Sequence, residues 1–355
     1  MSMSDKIALT VAGRRLEKFF GYRVEADLYC ADKYFRLDLA DPGFAISEGM
    51  RCELHVNDQI ALTGLIDRIT DADDKSGTTM TIEGRDLMGL LVDSHVETYP
   101  DFENIPLREL AEQLLATVPF INQKAIVYQA GLSGASASGT SPGAAGALAS
   151  LGVGQKHGHA EPGQTVFEVL RRAAMSRGAI FFSLPDGTFV FGRPKASGTP
   201  AYSIVHRADG RGNNAFRSAR VRDLSRRYSK IAVVGQQQGN DQIGLDEINT
   251  KATITDDTMP FYKPFVAVLN DDSYSPEQYA RLLLEMQRAA GFQLIYSVAG
   301  HNQNGRNWSI NELCRVRDAK RRIDGTYLVA SRAFELNKRD GRFTEIRLCL
   351  PGVMQ

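Results

Sequence analysis

Residues 312–351, ELCRVRDAKRRIDGTYLVASRAFELNKRDGRFTEIRLCLP, decide the fold class. Within them ELCRVRD (312–318), GTYLVASRAFELN (325–337) and FTEIRLCLP (343–351) read as strands. Ile346, Leu348 and Leu350 alternate with Glu345, Arg347 and Cys349, which is the period of two of a half-buried strand. Lys338-Arg339-Asp340-Gly341 is a turn sequence that folds the last strand back on its predecessor. An antiparallel sheet follows from this pattern.

Working outward, FQLIYSVAG (292–300) and SKIAVVGQ (229–236) add two more strands. Between them Ser275-Pro276-Glu277-Gln278 is a capping-box sequence with proline at the first helical position. It opens a helix to about residue 290, with Tyr279, Leu282, Leu283 and Met286 as its expected core stripe. The N-terminal segment repeats the strand pattern. VEADL (24–28), FRLDL (35–39) and RCELHVN (51–57) alternate, with Cys52, Leu54 and Val56 on one face. Asn57-Asp58 turns the chain into Ile60 and Leu62, and Asp71, Asp73 and Asp74 beside Lys75-Ser76-Gly77 mark a second hairpin turn. A short helical run follows in GRDLMGLLVD (84–93), with Asp86 as its expected N-cap.

The middle of the chain is different. Pro106 precedes an amphipathic helix, LRELAEQLLATV (107–118). Thr165-Val166-Phe167-Glu168 is a second capping box, and Gly178 is a natural helix stop. AIFFSLPDGTFVFGR (179–193) reads as a hairpin in which Phe182 and Leu184 face Phe189 and Phe191. Between the helices, residues 131–154 are nearly all Gly, Ala and Ser and read as a long flexible insert. The predicted organisation is therefore 1–94 barrel-like, 95–204 α+β, and 205–355 barrel-like with one helix near 276–290. No close internal repeat is visible.

Composition excludes several classes. The 355 residues carry 42 basic and 42 acidic side chains, so there is no strongly charged tail for nucleic acid or an anionic membrane. That neutrality hides an asymmetry: residues 1–94 sum to −6, residues 95–204 to zero and residues 205–355 to +6. Opposed charge on the outer segments suggests that neighbouring units attract in a set register. The N-terminus has no apolar core of secretory-signal length, and no run of 18 apolar residues suggests a membrane helix. The four cysteines, Cys30, Cys52, Cys314 and Cys349, form no zinc spacing and are expected to be reduced and largely buried.

No P-loop, GxSxG, HExxH or GxGxxG motif is present, so no common catalytic class is announced. His157, His159 and Glu161 could supply two imidazoles and a carboxylate to a metal, although residues beside a flexible loop are commonly just solvated. Calcium at Asp71, Asp73 and Asp74 lacks the EF-hand spacing. Trp308, the one tryptophan, reads as a core or interface anchor rather than a sugar platform. Arg226, Arg227, Arg321 and Arg322 belong to arginine-rich stretches without interleaved aromatics, which favours a protein interface over nucleic acid.

Three stretches carry a family likeness: TIEGRDLMGLLVDS (81–94), QTVFEVLRRAAMSRGAIFFSLPDGTFVFGRP (164–194) and NWSINELCRVRDAKRRIDGTYLVASRAFELNKRDGRFTEIRLCLPG (307–352). In this order they resemble the baseplate hub proteins of Mu-like contractile-tailed phages. The insert at 131–154 departs from that pattern. The resemblance implies an α+β, predominantly β fold, with two tube-type antiparallel β-barrel domains embracing an α+β middle domain. It also implies a non-enzymatic homotrimer whose six barrels form a pseudo-hexameric ring between a six-fold tail tube and a three-fold spike. The implied partners are the central spike, tail tube, tape-measure and baseplate wedge proteins, in a virion tail assembled in the host cytoplasm. DNA would pass through the channel without sequence-specific binding; no stable membrane insertion and no cofactor are implied. Two alternatives remain at this point: the hub of a tailocin or other contractile injection system, and a peptidoglycan or glycan hydrolase or glycan-binding module.

Overall fold

The computed structural model describes residues 5–75, 77–97, 105–122, 126–129, 160, 162–175, 177–235, 251–269 and 276–354. The insert at 131–154, His157, His159, Glu161 and Ser275 lie outside the described residues. The protein is predominantly β, with a smaller α+β portion between two β-rich lobes.

The first lobe contains β1 (Ile7–Val11), β2 (Arg14–Leu16), β3 (Gly21–Asp27), β4 (Tyr34–Leu39), β5 (Arg51–Val56), β6 (Gln59–Asp74) and β7 (Gly77–Asp86). Cys52, Leu54 and Val56 are buried as their alternation predicts. Asn57 and Asp58 both hold positive φ, +50° and +58°, which makes the tight β5–β6 turn. The Asn57 carboxamide oxygen accepts the Lys6 N–H at 3.0 Å and so offsets part of that backbone cost. At the β6–β7 crossing glycine is obligatory: a Cβ on Gly64 would lie 1.9 Å from the Arg85 carbonyl oxygen.

The middle portion comprises α1 (Met88–Asp93), α2 (Leu107–Leu115), β8 (Val127–Tyr128), α3 (Val166–Met175), β9 (Ile180–Ser183) and β10 (Phe189–Gly192). The capping box at α3 forms in both directions. Thr165 N–H donates to Glu168 Oε2 at 2.9 Å, and Glu168 N–H donates to Thr165 Oγ1 at 3.2 Å. Asp86 does not cap α1: Leu87 precedes the helix without a side-chain cap, and the Asp86 carboxylate is buried elsewhere. The β9–β10 register also differs from the expectation by one residue. Phe181, not Phe182, lies opposite Phe191, with ring centroids 4.4 Å apart, and Ser183 lies opposite Phe189. Every residue of both strands is buried, so neither face is marked by polarity and the pattern could not fix the register.

The last segment contains β11 (Tyr202–His206), β12 (Ala215–Arg222), β13 (Lys230–Gly235), β14 (Lys251–Thr255), β15 (Pro264–Leu269), α4 (Pro276–Ala290), β16 (Phe292–Ala299), β17 (Asn302–Gln303), β18 (Arg306–Asn307), β19 (Leu313–Asp318), β20 (Ile323–Asn337) and β21 (Gly341–Cys349). Two packing units arise from it. Strands β14, β13 and β15 form a small sheet under α4, with Ile231, Val233, Leu269, Ala280 and Leu284 between them. The buried row of α4 is Ala280, Leu284 and Ala289; Tyr279, Leu282, Leu283 and Met286 flank it and are only partly buried.

Strands β17 and β18 pair with each other as a short hairpin, and β11, β12, β16, β19, β20 and β21 join the first lobe in one 13-stranded sheet, whose main path runs β12-β16-β21-β20-β3-β4-β7-β6-β5-β1-β2, with β11 reaching β20 through β19. The joining element is β20. Its first half, Ile323–Leu328, pairs with β19, and its second half, Ser331–Leu336, pairs with β3. A register shift between Val329 and Ser331 separates the two. Residues 1–94 and 205–355 therefore share one apolar core, in which Val24, Phe35 and Leu37 pack with Tyr296, Phe334 and Ile346.

Candidate assembly interface

Three polar clusters fix the packing of the β-rich lobes, the middle portion and the small sheet. The first cluster sits where the two lobes meet. Asp5 Oδ2 accepts the His301 backbone N–H at 2.9 Å, and Asp5 Oδ1 accepts Asn57 Nδ2 at 2.7 Å and Asn302 Nδ2 at 2.9 Å. His301 Nε2 pairs with the Tyr22 hydroxyl at 2.7 Å and Nδ1 with Thr344 Oγ1 at 3.2 Å. Burial pushes the imidazole down to about 4, against the attraction of Asp5. Nearby Arg332 is buried and donates to the Val24 and Ala61 carbonyls, with its guanidinium 4.1 Å from the Phe334 ring centroid. Burial pushes it down to about 10. Two ion pairs, Arg23–Glu335 and Arg347–Asp27, cross the same joint, so the acidic and basic segments first meet within one chain.

The second cluster ties the first lobe to the middle portion. Lys33 Nζ donates to Ser183 Oγ at 2.6 Å and to the Ser183 carbonyl, and lies 3.7 Å from Asp86 Oδ2. Ser183 Oγ donates to Asp86 Oδ2 at 2.5 Å. Burial lowers the lysine to about 8 and raises the aspartate. Lysine, serine and carboxylate together resemble an activated nucleophile. All three are 5% exposed or less, and the serine proton is held by the carboxylate, so the geometry is that of a joint rather than an open site. A third cluster anchors the small sheet: Asp256 accepts Arg227 and Arg288, each at 2.7 Å, and the bonds hold its carboxyl well below the usual range despite burial.

The basic candidates separate under this geometry. Arg321 is an internal strut: it donates to Asp318 Oδ2 at 3.0 Å and to Ser218 Oγ and the Ser218 carbonyl, tying the β19–β20 turn to β12. Arg227 is committed to Asp256, whereas Arg226 is exposed. Trp308 is a core residue, 2% exposed and stacked 4.3 Å from Tyr202. Arg322 is exposed on the β19–β20 turn with φ +55°, and with Arg207 and Arg317 it lines an open cleft of about 400 Å³. Asp71 and Asp73 are exposed at the end of the β6–β7 hairpin, where Asp74 closes β6. Cys52, Cys314 and Cys349 are buried and Cys30 is exposed, which corrects the expectation for that one thiol.

The clusters are buried joints without an open catalytic arrangement among the described residues, and the likenesses to known proteins indicate the class. The model of the Mu phage baseplate assembly protein GpP-like N-terminal domain matches residues 6–86. The model of the third domain of the NMB1110-like tail protein matches residues 227–281, which take in the small sheet and the start of α4. The baseplate hub protein gp44 of Escherichia phage Mu is 24% identical over 360 residues, covering 98% of this chain and 88% of that protein. The tail protein of Neisseria meningitidis MC58 has a TM-score of 0.83 at 26% identity, covering 99% of this chain and 98% of that one. The 43 kDa tail protein of prophage MuSo2 from Shewanella oneidensis has a TM-score of 0.78 at 24% identity, covering 99% and 100%. The resemblance to the baseplate hub proteins of Mu-like phages thus holds along the whole chain. These relatives are tail and baseplate components.

Proposed function

We propose that this protein is the hub of a contractile-tail baseplate: a homotrimer whose six lobes form a ring between a six-fold tail tube and a three-fold spike. The observation that carries the reading is the likeness to the hub protein of phage Mu, which extends over 98% of this chain. A six-lobed ring of three chains needs two tube-like units per chain, and we assign them to the two halves of the 13-stranded sheet on either side of the β3–β20 pairing. Tape-measure protein and DNA would pass through the central channel, wedge proteins would contact the outside, and assembly would precede release from the host cytoplasm. We place the domain limits near 1–94, 95–204 and 205–355, with β20 joining the outer two units, α1 packing on the core of the middle one and β11 crossing the last limit.

Light scattering and negative-stain imaging of the purified full chain test it. A mass near three subunits and rings with a central hole are expected. A monomer at tens of micromolar, both alone and with the cognate spike, overturns it.

A further inference from the structure

The end of the β6–β7 hairpin is an arm that its own chain does not hold. Pairing of β4 with β7 ends at Leu39 and Met80, and pairing of β5 with β6 ends at Arg51 and Leu65. Among the described residues, Ala72–Asp74 and Gly77–Thr79 consequently pair only with each other, and Asp71 opposite Met80 is the last position backed by β4. Asp71, Ala72, Asp73 and Thr78 are exposed, and Lys75 lies in the turn. A two-stranded ribbon without an apolar face gains little from its own burial, which leaves this end of the hairpin free to pair with another surface.

At the +6 end of the same chain is a cleft of about 400 Å³ lined by Val205, Arg207, Arg317, Arg322 and Asp324. Its acids are already used. Asp318, at its floor, accepts Arg321 and Tyr296, each at 3.0 Å, and lies 3.3 Å from His206; Asp324 is paired with Arg315. Arg207, Arg317 and Arg322 are exposed and have no ion-pair partner among the described residues. Asp318 Oδ1 accepts the Arg321 N–H at 3.1 Å, which fixes the turn that presents Arg322. The cleft is therefore a rigid frame with three unspent cations.

From the arm and the cleft we propose a contact between copies: the Asp71/Asp73 end of one protomer's β6–β7 hairpin docks on the Arg207/Arg317/Arg322 cleft of the next. An acidic element on one lobe and a basic cleft on the other make a head-to-tail contact, and such contacts generate a ring when the rotation closes. Unlike charge at this contact sets register and speeds encounter. The proposal rests on the ring reading above and names one of its contacts.

The test uses the full chain by sedimentation velocity in 50 mM salt, with circular dichroism and melting as folding controls. The wild type is expected to assemble. Asp71→Lys/Asp73→Lys and, separately, Arg317→Glu/Arg322→Glu should each raise the dissociation constant at least about tenfold. The two sets combined in one chain should restore assembly. A wild type that stays monomeric overturns this contact together with the ring reading. A wild-type trimer unaffected by either pair overturns the contact alone, as does a combined variant that folds but is no better than its parents. Loss of single-stranded DNA binding in Arg317→Glu/Arg322→Glu with assembly unchanged would assign the cleft to nucleic acid and overturn the proposal.

Discussion

His301 makes the joint between the lobes sensitive to acid, by an amount that follows from its surroundings. The imidazole is fully buried between Tyr22, Thr344 and the Phe334 ring, with Asp5, Arg332 and Arg342 as the charges that act on it. In the unfolded chain it titrates near 6.5; in the folded protein burial lowers it to about 4. Below pH 6.5 the unfolded state therefore binds a proton that the folded state refuses, and stability falls as pH falls through this window. At 1.36 kcal/mol per pH unit, lowering pH from 7 to 4.5 should remove about 2 kcal/mol through this group alone. Urea titrations at the two pH values measure it, and Trp308, the one tryptophan, reports on the shared core directly. Carboxylates titrate in the same range, so the decisive quantity is the difference between the wild type and His301→Gln. The variant loses the imidazole's bonds and should be weaker at pH 7 by about 1 kcal/mol. Its further loss on acidification should be smaller than that of the wild type by about 2 kcal/mol. Equal acid losses in the two proteins would refute the assignment of this proton linkage to His301.

Other perturbations probe the remaining joints. Lys33→Met leaves the Asp86 carboxylate buried without its cation and should cost about 3–5 kcal/mol, while Lys33→Met with Asp86→Leu should recover most of it; chemical denaturation of all three chains decides. Gly64→Ala drives a methyl into the Arg85 carbonyl and should cost about 3 kcal/mol or prevent soluble expression, as read from yield and melting temperature. Thr165→Ala removes one arm of the α3 capping box and should cost about 1 kcal/mol, a melting shift of roughly 2–4 °C. Raising salt from 50 mM to 1 M should ease dissociation of the proposed trimer if unlike charge draws protomers together; a salt-insensitive assembly would leave apolar burial as the cause.

The sequence made legible those features that depend on near neighbours. Alternation in RCELHV placed Cys52, Leu54 and Val56 inside, and the Thr165–Glu168 spacing placed a helix start that forms both of its bonds. It failed where two faces compete for the same label. IFFS and FVFG are buried on both sides, so period-two reading had no polar face to orient them. The site residues failed for a related reason. Lys33, Arg332 and His301 looked like ordinary polar positions and Asp86 like a helix cap, because their partners lie 43 to 308 positions away. One signal was available: Arg332 lies in ASRAFEL, where an inward register for Phe334 carries Arg332 inward with it.

The continuity of β20 changes what the charge asymmetry has to accomplish. Read as two independent barrels of −6 and +6, the chain would need electrostatics at every lobe-to-lobe contact of a ring. The β3–β20 pairing removes half of that requirement. Six main-chain register positions, a buried arginine bonded to two carbonyls and a shared apolar core fix the intrachain contact before any partner arrives. Of the six contacts in the proposed ring, three are then built by folding and only three by association. Folding is concentration-independent and association is not, so the long-range charge term acts where it is most effective, on encounter between chains. The same division predicts a separation of phenotypes. Changes at His301 or Arg332 should lower melting temperature and leave the dissociation constant of folded protomers nearly unchanged, whereas changes at the exposed aspartates or arginines should do the reverse. A His301→Gln protein that melts like the wild type but no longer assembles would place this joint between chains instead of within one.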